Sequence, residues 1–196
     1  RPGETSRRLD DSRRQVQATL ELQRKFLDSR SEKEILEAAM QTCGAFLGAS
    51  GASFVPYDEW GQSLPALFQG KVPETALQSY AANLTAPQTR QKCKNCQVLH
   101  GKPGCALIPL ETESPVSVNC FPLRSGEREV GIINFFFERE NDLDAEQRAF
   151  VIESVRAAGQ ALENLRARDQ EIAALRYLQT ASAPKSDLPL LLNSLL

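Results

Sequence analysis

A chain of 196 residues, 41% hydrophobic and 24% charged, has the composition of a globular protein and enough length for one core with helical extensions. No apolar run reaches about 18 residues, the length typical of a transmembrane helix, so we expect no membrane contact by these residues. The net charge of −2, with both signs interspersed, excludes the basic footprint of a nucleic-acid-binding protein.

The first two predicted elements are helices. Residues from about 5 to 28 contain good helix formers, no Gly or Pro, and only a thin apolar stripe, which favours a partner helix from a second chain. Ser31 and Glu34 form a capping box that opens the second helix, and Gly48 ends it. Its apolar residues recur every three or four positions and are expected to face the core; they are Ile35, Leu36, Ala39, Met40, Cys43, Phe46 and Leu47.

The middle of the chain predicts strands. Residues 52–57 are expected to form a first strand and residues 64–68 a weaker second one. Pro73 opens a short helix that extends to about Leu84. An irregular segment, 85–112, follows, and loops of this length in compact domains are usually functional or disordered.

The last third of the chain predicts a hairpin and a long helix. Two strongly patterned strands, 116–123 and 129–137, flank a turn that contains Gly126. One helix then runs from about 144 to 180, and its second half carries a thin apolar stripe typical of a coiled coil. A new apolar helix is expected from Asp187. The chain lacks an initial Met and ends inside this apolar pattern, which predicts a piece of a longer protein.

Residues with ligand chemistry concentrate in segment 93–105, which holds three of the five cysteines and the only histidine. Thiolates bind zinc and iron–sulfur clusters, and neutral imidazole suits zinc. Cys93 and Cys96 form a Cys-x2-Cys pair with the bite of one tetrahedral metal, and the Gly and Pro residues after His100 allow Cys105 to reach the same point. We therefore predict an iron–sulfur cluster or zinc bound by this loop.

The fourth ligand has two candidates. If Phe121 and Leu123 face the helices, Cys120 points to the opposite face of the sheet, because strand side chains alternate. Cys120 would then join Cys93, Cys96 and Cys105 in a four-cysteine set that favours an iron–sulfur cluster. His100 is the alternative, and a Cys3His set on one short loop favours structural zinc.

The cysteine count also bears on location. Five is an odd number, and the chain is too long and too rich in helix for a small disulfide scaffold. A Cys-x2-Cys pair then indicates a metal or redox site in the cytoplasm, although a longer parent protein could be anchored to a membrane. Cys43 lies on the apolar stripe of the second helix and is interpreted as a small buried hydrophobic residue.

The order of elements and several motifs resemble a GAF domain, the small-ligand sensory module of bacterial signalling proteins such as sensor histidine kinases. The most specific stretch is Cys120-Phe121-Pro122-Leu123, a turn with Gly126, and then Val130-Gly131-Ile132-Ile133-Asn134-Phe135. Two further stretches are similar to the family pattern. One is the capped helix at Ser31 with the strand Gly51-Ala52-Ser53 after it, and the other is Ala161-Leu162-Glu163-Asn164 in the last helix.

The resemblance implies an α+β fold, with a central antiparallel sheet, helices on one face and a ligand pocket on the other. It divides the chain into four segments: an N-terminal signalling helix (1–30), a sensory domain (31–168), an exiting signalling helix (169–182) and the start of a further domain (183–196), possibly a second GAF domain. It also implies a homodimer formed by the flanking coiled-coil helices, with a kinase or other output domain in the same longer chain. The cysteine loop is placed as in some cytoplasmic sensor kinases with metal or iron–sulfur groups.

Three alternatives stay open. The cysteines could act as a thiol redox switch, or the loop could hold structural zinc in a dimerisation module. One branch of the family reduces free methionine sulfoxide, which would make Cys105 or Cys120 a nucleophile, but the motif around that branch's cysteines is missing here. Whether the chain is an enzyme is therefore undecided; the favoured interpretation is that it has no catalytic residues and that any kinase activity belongs to its parent.

Overall fold

The computed structural model describes residues 2–57, 66–71, 74–85, 105, 117–139 and 141–182. Each of the predicted helices that falls within these ranges is present. The helices are α1, Pro2–Asp28; α2, Glu32–Leu47; α3, Glu74–Thr85; and α4, Ala145–Ser182. The predicted helix after Asp187 lies outside the described residues, as do most of segment 85–112 and its cysteine pair.

Local hydrogen bonds explain where two of the helices begin. The Ser31 hydroxyl accepts a bond from the Glu34 N–H at 3.3 Å, which satisfies one of the unpaired donors in the first turn of α2. The Glu34 carboxylate accepts a bond from the backbone N–H of Arg30 rather than that of Ser31. At α4, Asp144 Oδ1 accepts from the Gln147 N–H, and the Gln147 side chain accepts from the Asp144 N–H.

The four strands form one antiparallel sheet in the order β2-β1-β4-β3. They are β1, Gly51–Pro56; β2, Leu67–Gly70; β3, Ser117–Ser125; and β4, Arg128–Phe137. Strand β2 ends two residues later than its predicted end at residue 68, because its pairing with β1 continues as far as Gly70, opposite Gly51. This is the α+β architecture expected from the sequence. Within the sheet, β4 lies between β1 and β3 and pairs with both.

Two glycines set the shape of the β3–β4 hairpin. Gly126 has a φ of 59° in the turn, a left-handed conformation that suits glycine. Gly131 lies opposite Pro56 on β1, and a Cβ at this position would come within 2.5 Å of the Phe54 ring. The Val-Gly-Ile pattern of β4 therefore reflects close packing against β1.

The sheet has two differently covered faces. Helices α2 and α4 cover the face that carries Phe121 and Phe135: Phe135 lies against Gly44 of α2, and the Arg148 guanidinium of α4 lies 5.9 Å from the centroid of the Phe121 ring. We call this the helix-pair face. Helix α3 packs on the opposite face, called here the α3 face. The expectation that helices cover one face is confirmed, and α3 covers part of the other.

The chain divides into two compact units, residues 1–163 and 164–196. The first contains α1 to α3, the whole sheet and the start of α4, and the second begins within α4. Among the described helices, none combines the length and hydropathy needed to cross a membrane.

Candidate functional site

The α3 face of the sheet carries a buried cluster built from three strands and one helix. Tyr80, Ala81 and Leu84 extend from α3, because positions 80, 81 and 84 share one side of a helix. The strands contribute alternate residues, as their period of two requires. The buried cluster comprises Val55, Tyr57, Tyr80, Ala81, Leu84, Val118, Cys120, Ile132 and Phe136.

A row of polar side chains crosses this otherwise apolar face. Ser53 on β1 is the register partner of Asn134 on β4, and Asn134 is the partner of Cys120 on β3. Ser53 and Asn134 are fully buried, and Cys120 is 7% exposed. The Asn134 amide donates to the Ser53 hydroxyl at 3.1 Å. A buried amide in a strand is costly unless it is bonded, and here a neighbouring strand supplies a partner.

Tyr80 connects α3 to this polar row. Its hydroxyl donates to Asn134 Oδ1 at 3.4 Å and lies 3.5 Å from Cys120 Sγ, a contact in which either atom can be the donor. The ring of Tyr80 meets Phe136 edge-on, with centroids 5.3 Å apart. The ring is therefore held by packing, and the hydroxyl is placed between an amide and a thiol. We call Ser53, Asn134, Tyr80 and Cys120 the polar row.

The structure places two of the predicted ligands on the α3 face. Cys120 and Phe121 point to opposite faces of β3, as the alternation predicted. Cys105 is partly buried and packs against the cluster that contains Cys120. Neither Cys105 nor Cys120 is in a disulfide. Cys93, Cys96 and His100 lie outside the described residues.

Two of the predicted ligands lie at this face. Cys120 belongs to the buried cluster, and Cys105 packs against it. Thiolates in general suit both zinc and iron–sulfur clusters. Among the described residues, no group of three or more His, Cys, Asp or Glu side chains is arranged to hold a metal ion. The remaining predicted ligands belong to the loop that lies outside the described ranges, so the choice between Cys120 and His100 stays a prediction.

Cys43 has a different environment. It is fully buried on α2, and a hydrogen bond with Ser154 links it to α4. Burial raises the pKa of its thiol to about 12, and the Ser154 bond opposes this shift only partly. The thiol is therefore neutral at physiological pH and unreactive, which confirms its interpretation as a small core residue.

Sequence reasoning did not identify Tyr80, Asn134 or Ser53 as site residues. A signal was present for Asn134, which is a polar residue inside the apolar stretch of β4 and shares its side of the strand with Ile132 and Phe136. Polar residues at core positions require partners and often mark specific interactions. Tyr80 carries no such signal, because an aromatic residue on a short helix is typical of a core position.

The comparisons with known proteins agree with this architecture. The family model described as "GAF domain" matches residues 29–163, more than half of the chain. The chain therefore belongs to the GAF domain family.

Two solved structures share the fold. The first is a GAF domain/HD domain protein from Geobacter sulfurreducens, with 11% identity, a TM-score of 0.51, and coverage of 70% of this chain and 95% of that one. The second is the GAF domain of a predicted sensor histidine kinase from Pseudomonas syringae pv. tomato, with 15% identity, a TM-score of 0.51, and coverage of 88% and 98%. At such identities the likeness concerns the fold alone. No curated protein matches the sequence.

Proposed function

We propose that this chain is the sensory GAF domain of a cytoplasmic signal-transduction protein, and that it binds an iron–sulfur cluster or zinc through its cysteine loop. A change in that group would be relayed through the flanking helices to an output domain in the same longer chain. The likeness to the GAF domain of a predicted sensor histidine kinase supports a kinase as the parent, and any catalytic activity would then belong to that output domain.

The observation that carries the proposal is the position of Cys105 relative to Cys120. The two residues are 15 positions apart in sequence, one from the loop and one from the sheet, and Cys105 packs against the cluster that includes Cys120. This favours Cys120 as the fourth ligand over His100. A cluster held by Cys93, Cys96, Cys105 and Cys120 would join the loop to β3 covalently.

The bound group would supply redox or ligand sensitivity, and the protein would supply the response. Cys105 and Cys120 would hold the loop against the α3 face, while the apolar side chains around them limit the access of water. Release or oxidation would loosen the loop and shift the population of two arrangements of the signalling helices.

The first experiment is purification without oxygen, followed by absorbance and by iron, sulfide and zinc analysis. A brown protein with iron and sulfide supports the cluster, and a colourless one with stoichiometric zinc supports the zinc form. Cys96→Ala is expected to lose the bound group, whereas Cys43→Ala is a matched control that keeps it, because Cys43 is buried between α2 and α4. Wild-type protein with neither metal, together with normal signalling by Cys96→Ala, would refute the proposal.

Two further variants identify the fourth ligand. If Cys120 is a ligand, Cys120→Ser lowers metal content and His100→Ala does not, and the reverse result makes the site a zinc site on the loop. In metal-free protein, reversible oxidation of the cysteine pair would indicate a thiol switch instead. Thiol consumption in proportion to added methionine sulfoxide would indicate the reductase.

The proposed homodimer is supported by exposed apolar side chains on α1. Leu22 is 2% exposed, whereas Val16, Leu20 and Leu27 are 56%, 61% and 83% exposed. These three residues lie along one side of the helix, at heptad-like spacing. In α4, the exposed apolar residues Ile172, Leu175 and Leu178 continue the predicted coiled-coil stripe.

We expect Leu20→Glu to shift the protein from dimer to monomer in sedimentation or light scattering, because it places a charge in the centre of an apolar seam. Thr19→Glu, which adds the same charge at the adjacent exposed position, is the matched control and should leave the dimer intact. A wild-type protein that is monomeric at every concentration would contradict the dimer.

A further inference from the structure

The β3–β4 hairpin meets α4 through backbone atoms at Gly159. This glycine is buried on α4, and a Cβ there would overlap the carbonyl oxygen of Arg124 and lie 3.0 Å from the carbonyl carbon. The same Cβ would be 3.8 Å from Leu123 Cδ1, so β3 packs directly on the helix at this point. The contact therefore requires a residue without a Cβ, although glycine lowers the stability of a helix interior.

A second contact lies one helical turn further along α4. Gly126 in the hairpin turn faces Glu163, whose Oε1 would be 3.4 Å from a Cβ at Gly126. Positions 159 and 163 lie on the same side of a helix, so the end of the hairpin follows α4 along its axis. The pairing of β3 with β4 also shifts register between Leu123 and Arg124, and such irregularities bend a strand and increase its twist. The irregularity thus occurs at the residue whose carbonyl oxygen reaches Gly159.

A backbone contact transmits a displacement differently from a side-chain contact. A side chain can absorb a small shift of its neighbour by changing rotamer, whereas a carbonyl oxygen packed on a helix backbone has no such freedom. The two elements of a close-packed contact therefore move together or separate. Cys120 lies on the same strand as Arg124, at a distance of about 13 Å given the rise of an extended strand. Beyond the contact, α4 continues as one helix to Ser182.

We propose that the contact between Arg124 and Gly159 couples β3 to α4, so that a displacement of β3 shifts or loosens this helix. The coupling is a property of the fold and needs no bound group. Its role in signalling rests on the proposed function, in which the cysteine loop is held by Cys120 on this same strand. β3 is then the strand through which a change on the α3 face reaches the helix on the opposite face.

The first test compares two equal perturbations of one buried cluster. Val118 on β3 and Val55 on β1 both belong to the cluster on the α3 face and are 4% and 0% exposed. Hydrogen exchange of the metal-free full chain gives the ratio of the exchange rate in residues 156–166 of α4 to that in α2, which cancels any change in global unfolding. We expect Val118→Ala to raise this ratio by at least about threefold through local opening, and Val55→Ala to leave it at the wild-type value. Equal ratios in the two variants would overturn the coupling.

The second test replaces the glycine itself. Gly159→Ala adds a methyl group where the Arg124 oxygen lies, so the exchange ratio should rise, and Val118→Ala should have no further effect in this background. Gly44→Ala is the matched control, because its Cβ would lie 3.9 Å from the Phe135 ring, an ordinary contact. The control should keep the wild-type ratio and raise the urea midpoint, since alanine favours a helix more than glycine does. A Gly159→Ala protein that behaves like Gly44→Ala in both measurements would overturn the proposal, and if Gly159→Ala does not fold, the valine pair decides.

The last measurement separates the coupling from the proposed function. The exchange ratio is compared between metal-free wild-type chain and the same chain loaded with Zn²⁺. We expect the two forms to differ, and the difference to be lost in Gly159→Ala. Equal ratios in the two wild-type forms would refute a role of this contact in signalling. A wild-type chain that binds neither zinc nor iron would refute the proposed function instead, and the valine pair would still decide whether β3 and α4 are coupled.

Discussion

The two faces of the sheet differ in how their buried side chains are packed and hydrogen-bonded. On the helix-pair face, aromatic side chains carry the packing: Phe121 and Phe135 meet at 5.9 Å, and Phe46 of α2 meets Phe150 of α4 at 4.1 Å. The polar Asn119 on this face bonds to a backbone carbonyl, that of Asn141. On the α3 face, the polar side chains bond to one another.

The two kinds of bonding differ in how they would react to a chemical change in one partner. Side chains that bond to fixed backbone groups have one arrangement, whereas side chains that bond to each other can exchange partners when one of them changes chemically. The cysteines of the two faces also differ, although Cys43 bonds to a side chain, that of Ser154. Cys43 lies in the helix-pair core with a suppressed acidity, and Cys120 lies in the polar row beside a phenol.

The largest expected effect comes from breaking the helix-pair core. Phe135 is fully buried and contacts Phe121, so Phe135→Ala should lower the free energy of unfolding by about 3–5 kcal/mol through lost burial and an unfilled cavity. Urea denaturation measures this. Ile152→Ala, at a position 43% exposed on α4, is the control and should cost well under half as much. Comparable losses in the two variants would show that this face is not the main source of stability.

The fold was predictable because its signals are local. Ser31 with Glu34 marked the start of α2, and alternation of apolar residues marked β3 and β4. The least accurate boundary was that of β2, a four-residue strand whose extent depends on pairing with β1 rather than on its own pattern. Tertiary pairing of that kind leaves little trace in a short sequence.

The candidate site was predictable only in part. Strand alternation was sufficient to place Cys120 on the face opposite Phe121, because the period of a strand is fixed by its geometry. It could not predict that Tyr80 meets Cys120, since that contact joins residues 40 positions apart on a helix and a strand. Such contacts depend on how α3 docks, which no local pattern encodes.

A smaller effect tests the polar row. Asn134→Ala leaves the Tyr80 and Ser53 hydroxyls without their buried amide partner and should cost about 1–3 kcal/mol of unfolding free energy. Asn119→Ala is the matched change on the helix-pair face. It removes one bond, to the Asn141 carbonyl, and should cost about 0.5–1.5 kcal/mol. If the two substitutions cost the same in parallel denaturation curves, the polar row is no more interdependent than an ordinary side-chain to backbone contact.

The last prediction concerns Cys43, whose ionisation has almost no effect on the free energy of unfolding at neutral pH and a measurable one only in alkali. Its folded-state pKa is raised to about 12, above the ordinary thiol value of 9.0, so the unfolded chain loses this proton first. The free energy of unfolding is therefore unaffected by this thiol below about pH 8.5. It decreases as pH rises toward the folded-state pKa, with a slope of up to about 1.4 kcal/mol per pH unit. Cys43→Ala should therefore show a shallower loss of stability between pH 9 and pH 11 than wild type, by up to that slope.

Denaturation at a series of pH values distinguishes this thiol from those of the α3 face. Ser154→Ala removes the bond that opposes the shift, so the pKa of Cys43 should rise further and the alkaline slope should extend to higher pH. Parallel pH profiles for wild type and Cys43→Ala would mean that Cys43 ionises in the folded protein as readily as in the unfolded chain. The helix-pair face would then contain a reactive thiol, and the contrast between Cys43 and Cys120 would fail.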